Sequence, residues 1–156
     1  MGDVENYYLH PGNLFAHSEP HIVSTILGSC VAVCLFDPVL QIGGINHYLL
    51  PFWNKEGLPT PKYGNVAIQR LVEKMIALGS NKKHLEAKIF GGASQFENSN
   101  SAMLNVGQRN IQIAIDLLNK ENIRILGKDV GNTQGRRVLY MTNLGKVKVR
   151  MIQSTK

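Results

Sequence analysis

The chain has 156 residues, of which 44% are hydrophobic and 18% are charged, a composition typical of one globular domain, which we place over residues 1–156. Its apolar runs are far too short to span a bilayer, and its acidic, polar N-terminus does not resemble a secretory signal, so we expect a cytoplasmic protein without membrane insertion. A formal net charge of +6 suggests acidic partners. Because the basic residues are scattered and no aromatic residues alternate with them, we do not expect a nucleic-acid partner.

The first half of the chain predicts mainly strands. Residues 1–21 mix aromatic residues with prolines and polar residues, which indicates an irregular or edge-strand start. The β-branched run at residues 22–26 predicts a strand, and the continuous apolar run at 31–36 predicts a strand that is buried on both faces. Residues 42–50 predict a third strand, in which a glycine pair at 43–44 would let another backbone or a ligand approach closely.

The second half predicts two helices separated by strands and loops. Asn65 is placed to cap a helix over residues 65–78, and a second helix is predicted over residues 107–122. The other predicted elements are a loop at 51–64, strands at 85–90 and 123–127, a polar, asparagine-rich loop at 95–105, and a hairpin of strands 138–142 and 146–152 joined by a turn at 143–145.

This set of about eight strands and two helices argues for an α+β fold. Two helices can cover only one face of so large a sheet. The other face therefore needs a second sheet, and we expect three layers of helices, sheet and sheet.

A cysteine and a histidine near the start of the chain form a candidate catalytic pair. Cys30 follows a Gly28-Ser29 step that can turn sharply, and His47 ends a second short apolar run. A nearby imidazole can lower the pKa of a thiol from about 8.5 toward neutrality and can then protonate a leaving group. The alternative from the pattern alone is a small buried thiol and a hydrogen-bonded core histidine.

The second cysteine, Cys34, is predicted to be a core residue. Four residues of extended strand would put it about 13 Å from Cys30, which is too far for a disulfide. His17 and His21 have the spacing of a helical metal site, but Pro20 lies between them and argues against the helix. We therefore expect neither a disulfide nor a metal site.

A series of short motifs is spread along residues 9–151. The motifs are Leu27-Gly28-Ser29-Cys30-Val31-Ala32-Val33, Asp37-Pro38, Gly44-Ile45-Asn46-His47, Leu50-Pro51, Lys62-Tyr63-Gly64, Ala87-Lys88-Ile89-Phe90-Gly91-Gly92-Ala93, Gly107-Gln108-Arg109-Asn110 and Gly135-Arg136. None is specific alone, but in combination they resemble the chemoreceptor glutamine deamidase family of bacterial chemotaxis, CheD.

The resemblance implies a cysteine hydrolase with a Cys-His-Thr constellation on a three-layer α/β/β sandwich with mixed sheets, similar to glutamine-deamidating toxins. It implies that Cys30 is the nucleophile and His47 the base. The third family residue is a threonine six positions before the cysteine, where this chain has Ser24, and Thr25 follows directly. Because successive side chains of a strand point to opposite faces, only one of the two can face His47. We favour Ser24, since Thr25 would need a one-residue bulge in the matched motif.

The resemblance also implies a reaction and partners. The reaction is hydrolysis of glutamine side-chain amides of methyl-accepting chemotaxis receptors to glutamate through a Cys30 thioester, with no metal or organic cofactor. Backbone N–H groups at residues 28–30 are the expected oxyanion donors. A glutamyl methyl ester could form the same thioester, which would give methylesterase side activity. A CheC-type chemotaxis phosphatase is an implied partner, and the alternative function is a catalytically idle binding module that regulates this phosphatase.

Two departures from the family pattern concern loops. Residues 97–105 form a longer loop than expected, which bears on substrate selectivity. Asn132 follows Gly131 where the family usually has a second glycine. Because asparagine is the non-glycine residue that best tolerates a positive φ, we expect this turn to keep its shape.

Overall fold

Nine strands in two mixed sheets and two α-helices form the computed structural model, which describes residues 4–94 and 105–153. The strands are β1 (Glu5–Tyr8), β2 (Leu14–His17), β3 (His21–Leu27), β4 (Val31–Asp37), β5 (Ile42–Asn46), β6 (Glu86–Gly91), β7 (Arg124–Val130), β8 (Arg136–Met141) and β9 (Lys146–Met151). The helices are α1 (Gly64–Ala77) and α2 (Val106–Lys120), and a short 3₁₀ helix, Lys82–His84, precedes β6.

The sheets and helices are arranged in three layers. The five-stranded sheet has the order β2-β5-β4-β6-β7, and the four-stranded sheet has the order β1-β3-β8-β9. Each sheet contains one parallel pair among antiparallel neighbours, β6 with β7 and β1 with β3. Both helices pack on one face of the five-stranded sheet, and the four-stranded sheet packs on its other face. The predicted α+β class and α/β/β layering are confirmed.

The central strand β4 contributes to both hydrophobic layers. Val31, Val33 and Leu35 point toward the helices, whereas Ala32 and Cys34 point toward the four-stranded sheet. All five side chains are buried, and each buried valine or leucine stabilises the fold by about 1.5–3 kcal/mol. The predicted burial of both faces is confirmed, and Cys34 is a free thiol in the core between the sheets.

The glycine pair of β5 allows close packing on both sides of its sheet. A side chain at Gly43 would collide with the hydroxyl of Tyr140 from β8, and a Cβ at Gly44 would lie 2.8 Å from Leu71 of α1. Tyr140 donates a hydrogen bond of 2.8 Å to the carbonyl of Leu35 and so ties the two sheets together. The close approach predicted at this pair is confirmed, and the approaching groups are other parts of the fold.

The N-terminal segment forms two edge strands, as the sequence predicted, because β1 pairs with β3 and β2 pairs with β5 at the ends of their sheets. Two other elements differ from the sequence-based prediction. β5 ends early, at Asn46, whose side-chain oxygen accepts a hydrogen bond of 2.8 Å from the N–H of Val33. α1 begins at Gly64 without a side-chain cap, since Asn65 instead accepts a hydrogen bond of 2.9 Å from the N–H of Trp53.

The predicted polar loop at residues 95–105 lies outside the described residues, except for Asn105. The side chain of Asn105 accepts a hydrogen bond of 3.3 Å from the N–H of Gln108 and caps α2. A role of residues 97–105 in substrate selectivity therefore stays a prediction. Within the two described ranges, no helix is long and apolar enough to cross a membrane.

We expect Gly43→Ala to destabilise the protein by roughly 1–3 kcal/mol, because the added methyl group has to displace the Tyr140 hydroxyl from the sheet interface. The free energy of unfolding in urea measures this effect. Gly127→Ala in β7 is the control, because a Cβ there would lie 3.8 Å from the Lys88 side chain, an ordinary contact. Equal destabilisation by both substitutions would contradict a specific packing constraint at Gly43.

Candidate active site

Cys30 and His47 lie on the same face of the five-stranded sheet. A bridge between Val31 and Tyr48 continues the antiparallel register of β4 and β5 beyond the strands. In that register His47 stands opposite Ala32, and Cys30 lies one residue before the bridge. Ala32 faces the four-stranded sheet, so the side chains of Cys30 and His47 face it as well. Diagonal neighbours of this kind are about 7–8 Å apart, and their side chains can come closer.

The turn after β6 holds the backbone around Cys30. The N–H of Gly92 donates to the carbonyl of Cys30 at 2.8 Å, and the N–H of Ala93 donates to the carbonyl of Gly28 at 2.9 Å. Gly91 and Gly92 have φ angles of +103° and +73°, which favour glycine, and a side chain at Gly91 would collide with the Cys30 carbonyl. Gly91 therefore lets β6 approach the Cys30 loop closely, whereas a side chain at Gly92 would collide with Ile111 of α2.

Asn110 of α2 connects the loop before β4 with the chain after β5. Its buried side-chain amide donates to the carbonyl of Ser29 at 3.0 Å and to the carbonyl of Leu49 at 2.9 Å. In the sequence, Asn110 is recognisable only as part of a motif, without a role. The available signal was a polar residue on the apolar face of the helix, one turn before Ala114, because a buried amide needs hydrogen-bond partners.

Arg136 supports the same region from β8 and was also missed as a site residue. Its fully buried guanidinium donates to the carbonyls of Gly91 at 3.1 Å and Gly131 at 2.7 Å, and to a carboxylate oxygen of Asp129 at 2.9 Å. These acceptors offset the cost of burying its charge. Beside this contact, Gly131 and Asn132 have φ angles of +84° and +61°, so the positive φ expected at Asn132 is confirmed.

Thr25, not Ser24, contacts His47. The hydroxyl oxygen of Thr25 lies 2.6 Å from Nδ1 of His47, and both side chains are buried. β3 alternates regularly, so that Val23, Thr25 and Leu27 face the five-stranded sheet and Ser24 faces outward. The contact expected of Ser24 is therefore made by Thr25 without a bulge, because the buried face of β3 is the one that carries Thr25.

The hydrogen bonds of Thr25 determine which nitrogen of His47 carries the proton. The hydroxyl donates to the carbonyl of Leu9 at 2.8 Å. Because a hydroxyl has one proton, its oxygen has to accept from His47. Neutral His47 therefore carries its proton on Nδ1 and presents an unprotonated Nε2. This Nε2 is buried and has no hydrogen-bond partner among the described residues, which leaves a base on the sheet face that also carries Cys30.

Burial keeps Cys30 and His47 neutral near pH 7. It raises the pKa of the partly buried Cys30 thiol, an effect that a hydrogen bond from the backbone of Cys30 opposes. It lowers the pKa of His47 to about 4. Both shifts oppose the thiolate that a nearby imidazole was expected to favour. A neutral thiol beside a neutral imidazole can react by passing its proton to Nε2 as the sulfur attacks.

Comparisons with known proteins connect this chain to a family. A family model described as CheD chemotactic sensory transduction matches residues 49–151. A protein of Sulfurimonas denitrificans named probable chemoreceptor glutamine deamidase CheD is 47% identical over 154 residues, which cover 98% of this chain and 98% of that protein. A protein of the same name from Trichlorobacter lovleyi is 44% identical over 144 residues, which cover 92% of this chain and 89% of that protein.

A more distant likeness is found among solved structures. The crystal structure of the hypothetical protein YfiH from Bacillus licheniformis has a TM-score of 0.48 and 18% sequence identity, and the match covers 74% of this chain and 49% of that chain. It is too remote to inform function.

We expect His47 to make the protein less stable in mild acid. The pKa of folded His47 is about 4, whereas an unfolded histidine titrates near about 6.5. As the pH falls below about 6.5, the unfolded chain binds a proton that the folded protein excludes, so stability falls and the loss reaches about 3 kcal/mol below the folded pKa. Urea unfolding across this pH range measures the effect.

The control for this titration is His47→Gln, which removes the ring. The difference in unfolding free energy between wild type and variant should change by about 3 kcal/mol from neutral to acidic pH. Parallel stability curves for the two proteins would contradict a buried neutral imidazole.

Proposed function

The chain belongs to the CheD family, and on this premise we propose a chemoreceptor glutamine deamidase in which Cys30 is the nucleophile, His47 the base and Thr25 the residue that positions His47. Three relatives named probable chemoreceptor glutamine deamidase match this chain over 87–98% of their own lengths, which supports assigning residues 1–156 to one deamidase domain. The product is a glutamate side chain in the receptor, and ammonia is released.

One observation carries the residue roles: the hydrogen bond between Thr25 and Nδ1 of His47. It fixes the tautomer in which Nε2 is unprotonated, and Nε2 has no other partner among the described side chains. Most buried side-chain nitrogens with a purely structural role have a hydrogen-bond partner. The free nitrogen on the Cys30 face of the sheet supports a general base.

In the first half of the reaction, Cys30 attacks the glutamine amide. The thiol proton moves to Nε2 of His47 while the sulfur bonds to the amide carbon and the carbonyl electrons move to oxygen. His47 then gives this proton to the amide nitrogen, the C–N bond breaks, and ammonia leaves. A γ-glutamyl thioester on Cys30 remains.

The loop before β4 offers donors for the oxyanion that forms in this attack. The backbone N–H of Ser29 has no hydrogen-bond acceptor among the described residues, and the backbone N–H of Cys30 is directed at its own thiol sulfur. Their position beside the sulfur supports the oxyanion site expected at residues 28–30. Asn110 orients this peptide segment through its hydrogen bond to the Ser29 carbonyl.

In the second half, water hydrolyses the thioester. His47 takes a proton from the water as its oxygen attacks the carbonyl carbon, and the C–S bond breaks. The sulfur recovers a proton, and the glutamate side chain leaves. A glutamyl methyl ester would enter the same thioester with methanol as the leaving group, which supports methylesterase side activity.

The receptor substrate implies the setting of the protein. An enzyme can reach only those receptor glutamines that lie outside the bilayer. We propose that the protein acts on these glutamines in the cytoplasm. A CheC-type phosphatase is a proposed partner that would compete for the site. The alternative function, an idle module that only regulates this phosphatase, has no observation in its favour, because it leaves the free Nε2 of His47 unexplained.

Mass spectrometry of a receptor cytoplasmic fragment after incubation with the protein tests the proposed reaction. We expect the mass increase of glutamine conversion to glutamate, with one oxygen from labelled water. Cys30→Ala should abolish this change in a folded protein. Cys34→Ala should keep it and cost only packing stability, on the order of 1 kcal/mol or somewhat more, because Cys34 lies in the core. Turnover by Cys30→Ala with none by Cys34→Ala would reverse the assignment.

Thr25→Val should lower kcat by about a hundredfold, because His47 loses the partner that fixes its tautomer. Thr25→Ser keeps the hydroxyl and should restore most of the rate, while Ser24→Ala should change it little. The pH dependence of kcat/KM is the second measurement, since a purely structural defect would lower the amount of active enzyme without moving this profile. A large loss confined to Ser24→Ala would overturn the role of Thr25.

A further inference from the structure

The outward face of the four-stranded sheet is covered by no other element of the described chain. Along β3, β8 and β9 buried and more exposed side chains alternate, which defines the outward positions. We call the cations at these positions, with the two apolar residues beside them, the basic face: Arg137, Lys146, Lys148, Arg150, Ile26 and Leu139.

The charge of the basic face is not balanced. No acidic residue occupies an outward position of β1, β3, β8 or β9. The ion pairs of the described residues involve other side chains, and none includes a cation of the basic face. Four of the chain's 17 lysines and arginines are therefore gathered on one sheet surface, without an ion pair among the described residues.

Two of these cations oppose each other directly. Arg137 of β8 is the register partner of Arg150 of β9. Like charges at directly opposite positions of neighbouring strands destabilise a sheet. Neither side chain has a hydrogen bond or ion pair among the described residues that would compensate. This arrangement lowers the stability of the sheet. Local features that lower stability are typical of surfaces that bind a partner.

Protection of the sheet edge does not explain the basic face. β9 is an edge strand, and lysines on edge strands prevent pairing with other chains. That accounts for Lys146 and Lys148. It does not account for Arg137, because β8 lies inside the sheet between β3 and β9.

We propose that the basic face binds an acidic helical segment of the protein substrate beside the target glutamine. This inference rests on the proposed function, because it assigns the occupant to the receptor that the site deamidates. An uncovered sheet face packs most readily against helices, as the other sheet of this fold does with α1 and α2. The unpaired cations select helices with acidic side chains.

The geometry of the face fits a helix. Cations at alternate residues of β9 repeat about every 7 Å along the strand, and side chains at i and i+4 of a helix repeat about every 6 Å. Leu139 and the half-exposed Ile26 provide apolar contact beside the cations. An open depression of about 480 Å³ on this face, lined by Arg137, Leu139, Lys148, Val149 and Arg150, leaves room for a helix.

The basic face also lies close to the reacting groups. Arg137 is the register partner of Ile26 on β3. Only four residues of chain lead from Ile26 to Cys30, at most about 14 Å when extended. A helix on the Ile26 end of the face therefore presents its neighbouring residues to the Cys30 loop.

Arg150→Glu tests this inference with two readouts: the stability of the protein, which should improve, and its affinity for the substrate, which should weaken. The substitution replaces the like-charge pair by an opposite-charge pair, so we expect the melting temperature to rise by about 2 °C. We expect KM for the receptor cytoplasmic fragment to rise about tenfold at low salt with kcat unchanged, because a substrate contact outside the reacting groups is lost. Higher salt should reduce the difference in KM between the variant and the wild type, because salt screens exposed charges.

Lys128→Glu on β7 is the matched control, because it changes net charge equally on an exposed position of the other sheet. It should leave KM unchanged. A short neutral glutamine peptide is the substrate control, and both variants should process it like wild type. An unchanged KM in Arg150→Glu, or an equal rise in Lys128→Glu, would overturn the inference.

Two further measurements distinguish a failure of this inference from a failure of the proposed function. If wild-type protein releases no ammonia from the fragment, the proposed function fails. Direct binding of the fragment by wild type and Arg150→Glu then still decides the basic face, since equal affinities would overturn it and weaker binding by the variant would support it. Binding to phosphatidylserine–phosphatidylcholine vesicles that Arg150→Glu abolishes, with unchanged affinity for the fragment, would assign the face to the membrane and overturn the inference.

Discussion

The contact between Thr25 and His47 joins the two sheets at the point where the chemistry is proposed. Thr25 belongs to the four-stranded sheet, and His47 follows β5 of the five-stranded sheet. The tautomer of the histidine therefore depends on how the sheets pack against each other. The packing in turn depends on Gly43, which leaves room for Tyr140, and on the hydrogen bond from Tyr140 to the Leu35 carbonyl. The packing between the two sheets and the tautomer of His47 therefore depend on the same contacts.

The sequence predicted most elements because their periodicity is strong, but it could not orient β3. Residues 22–27 place two apolar residues and one hydroxyl on each face of the strand: Ile22, Ser24 and Ile26 on one, Val23, Thr25 and Leu27 on the other. Periodicity is the same for both faces, so it does not distinguish Ser24 from Thr25. Only the packing partner settles which face is buried. Counting positions from Cys30 then favoured Ser24, whereas the side chain that contacts His47 is that of Thr25.

The supporting residues were hidden for a different reason. Asn110 and Arg136 donate to backbone carbonyls that are distant in the sequence, at Ser29, Leu49 and Gly91. Every residue has a carbonyl, so no pattern of side chains reveals which one will need a donor. The motif around the thiol was recognisable because it occurs together with the other family motifs along the chain. The groups that hold this motif in place become visible only in the folded chain.

The candidate active site is neutral, whereas the basic face, on a different surface of the protein, carries positive charge. Burial favours the neutral forms of Cys30 and His47, whereas the outward face of the other sheet carries unpaired cations. Deamidation converts a neutral amide into a carboxylate. A new carboxylate beside neutral, buried groups loses hydration without gaining a counter-charge, which favours its departure from the site. The same added charge strengthens attraction to an exposed cationic surface. A receptor helix held on the basic face could therefore release one modified side chain from Cys30 and remain bound for the next.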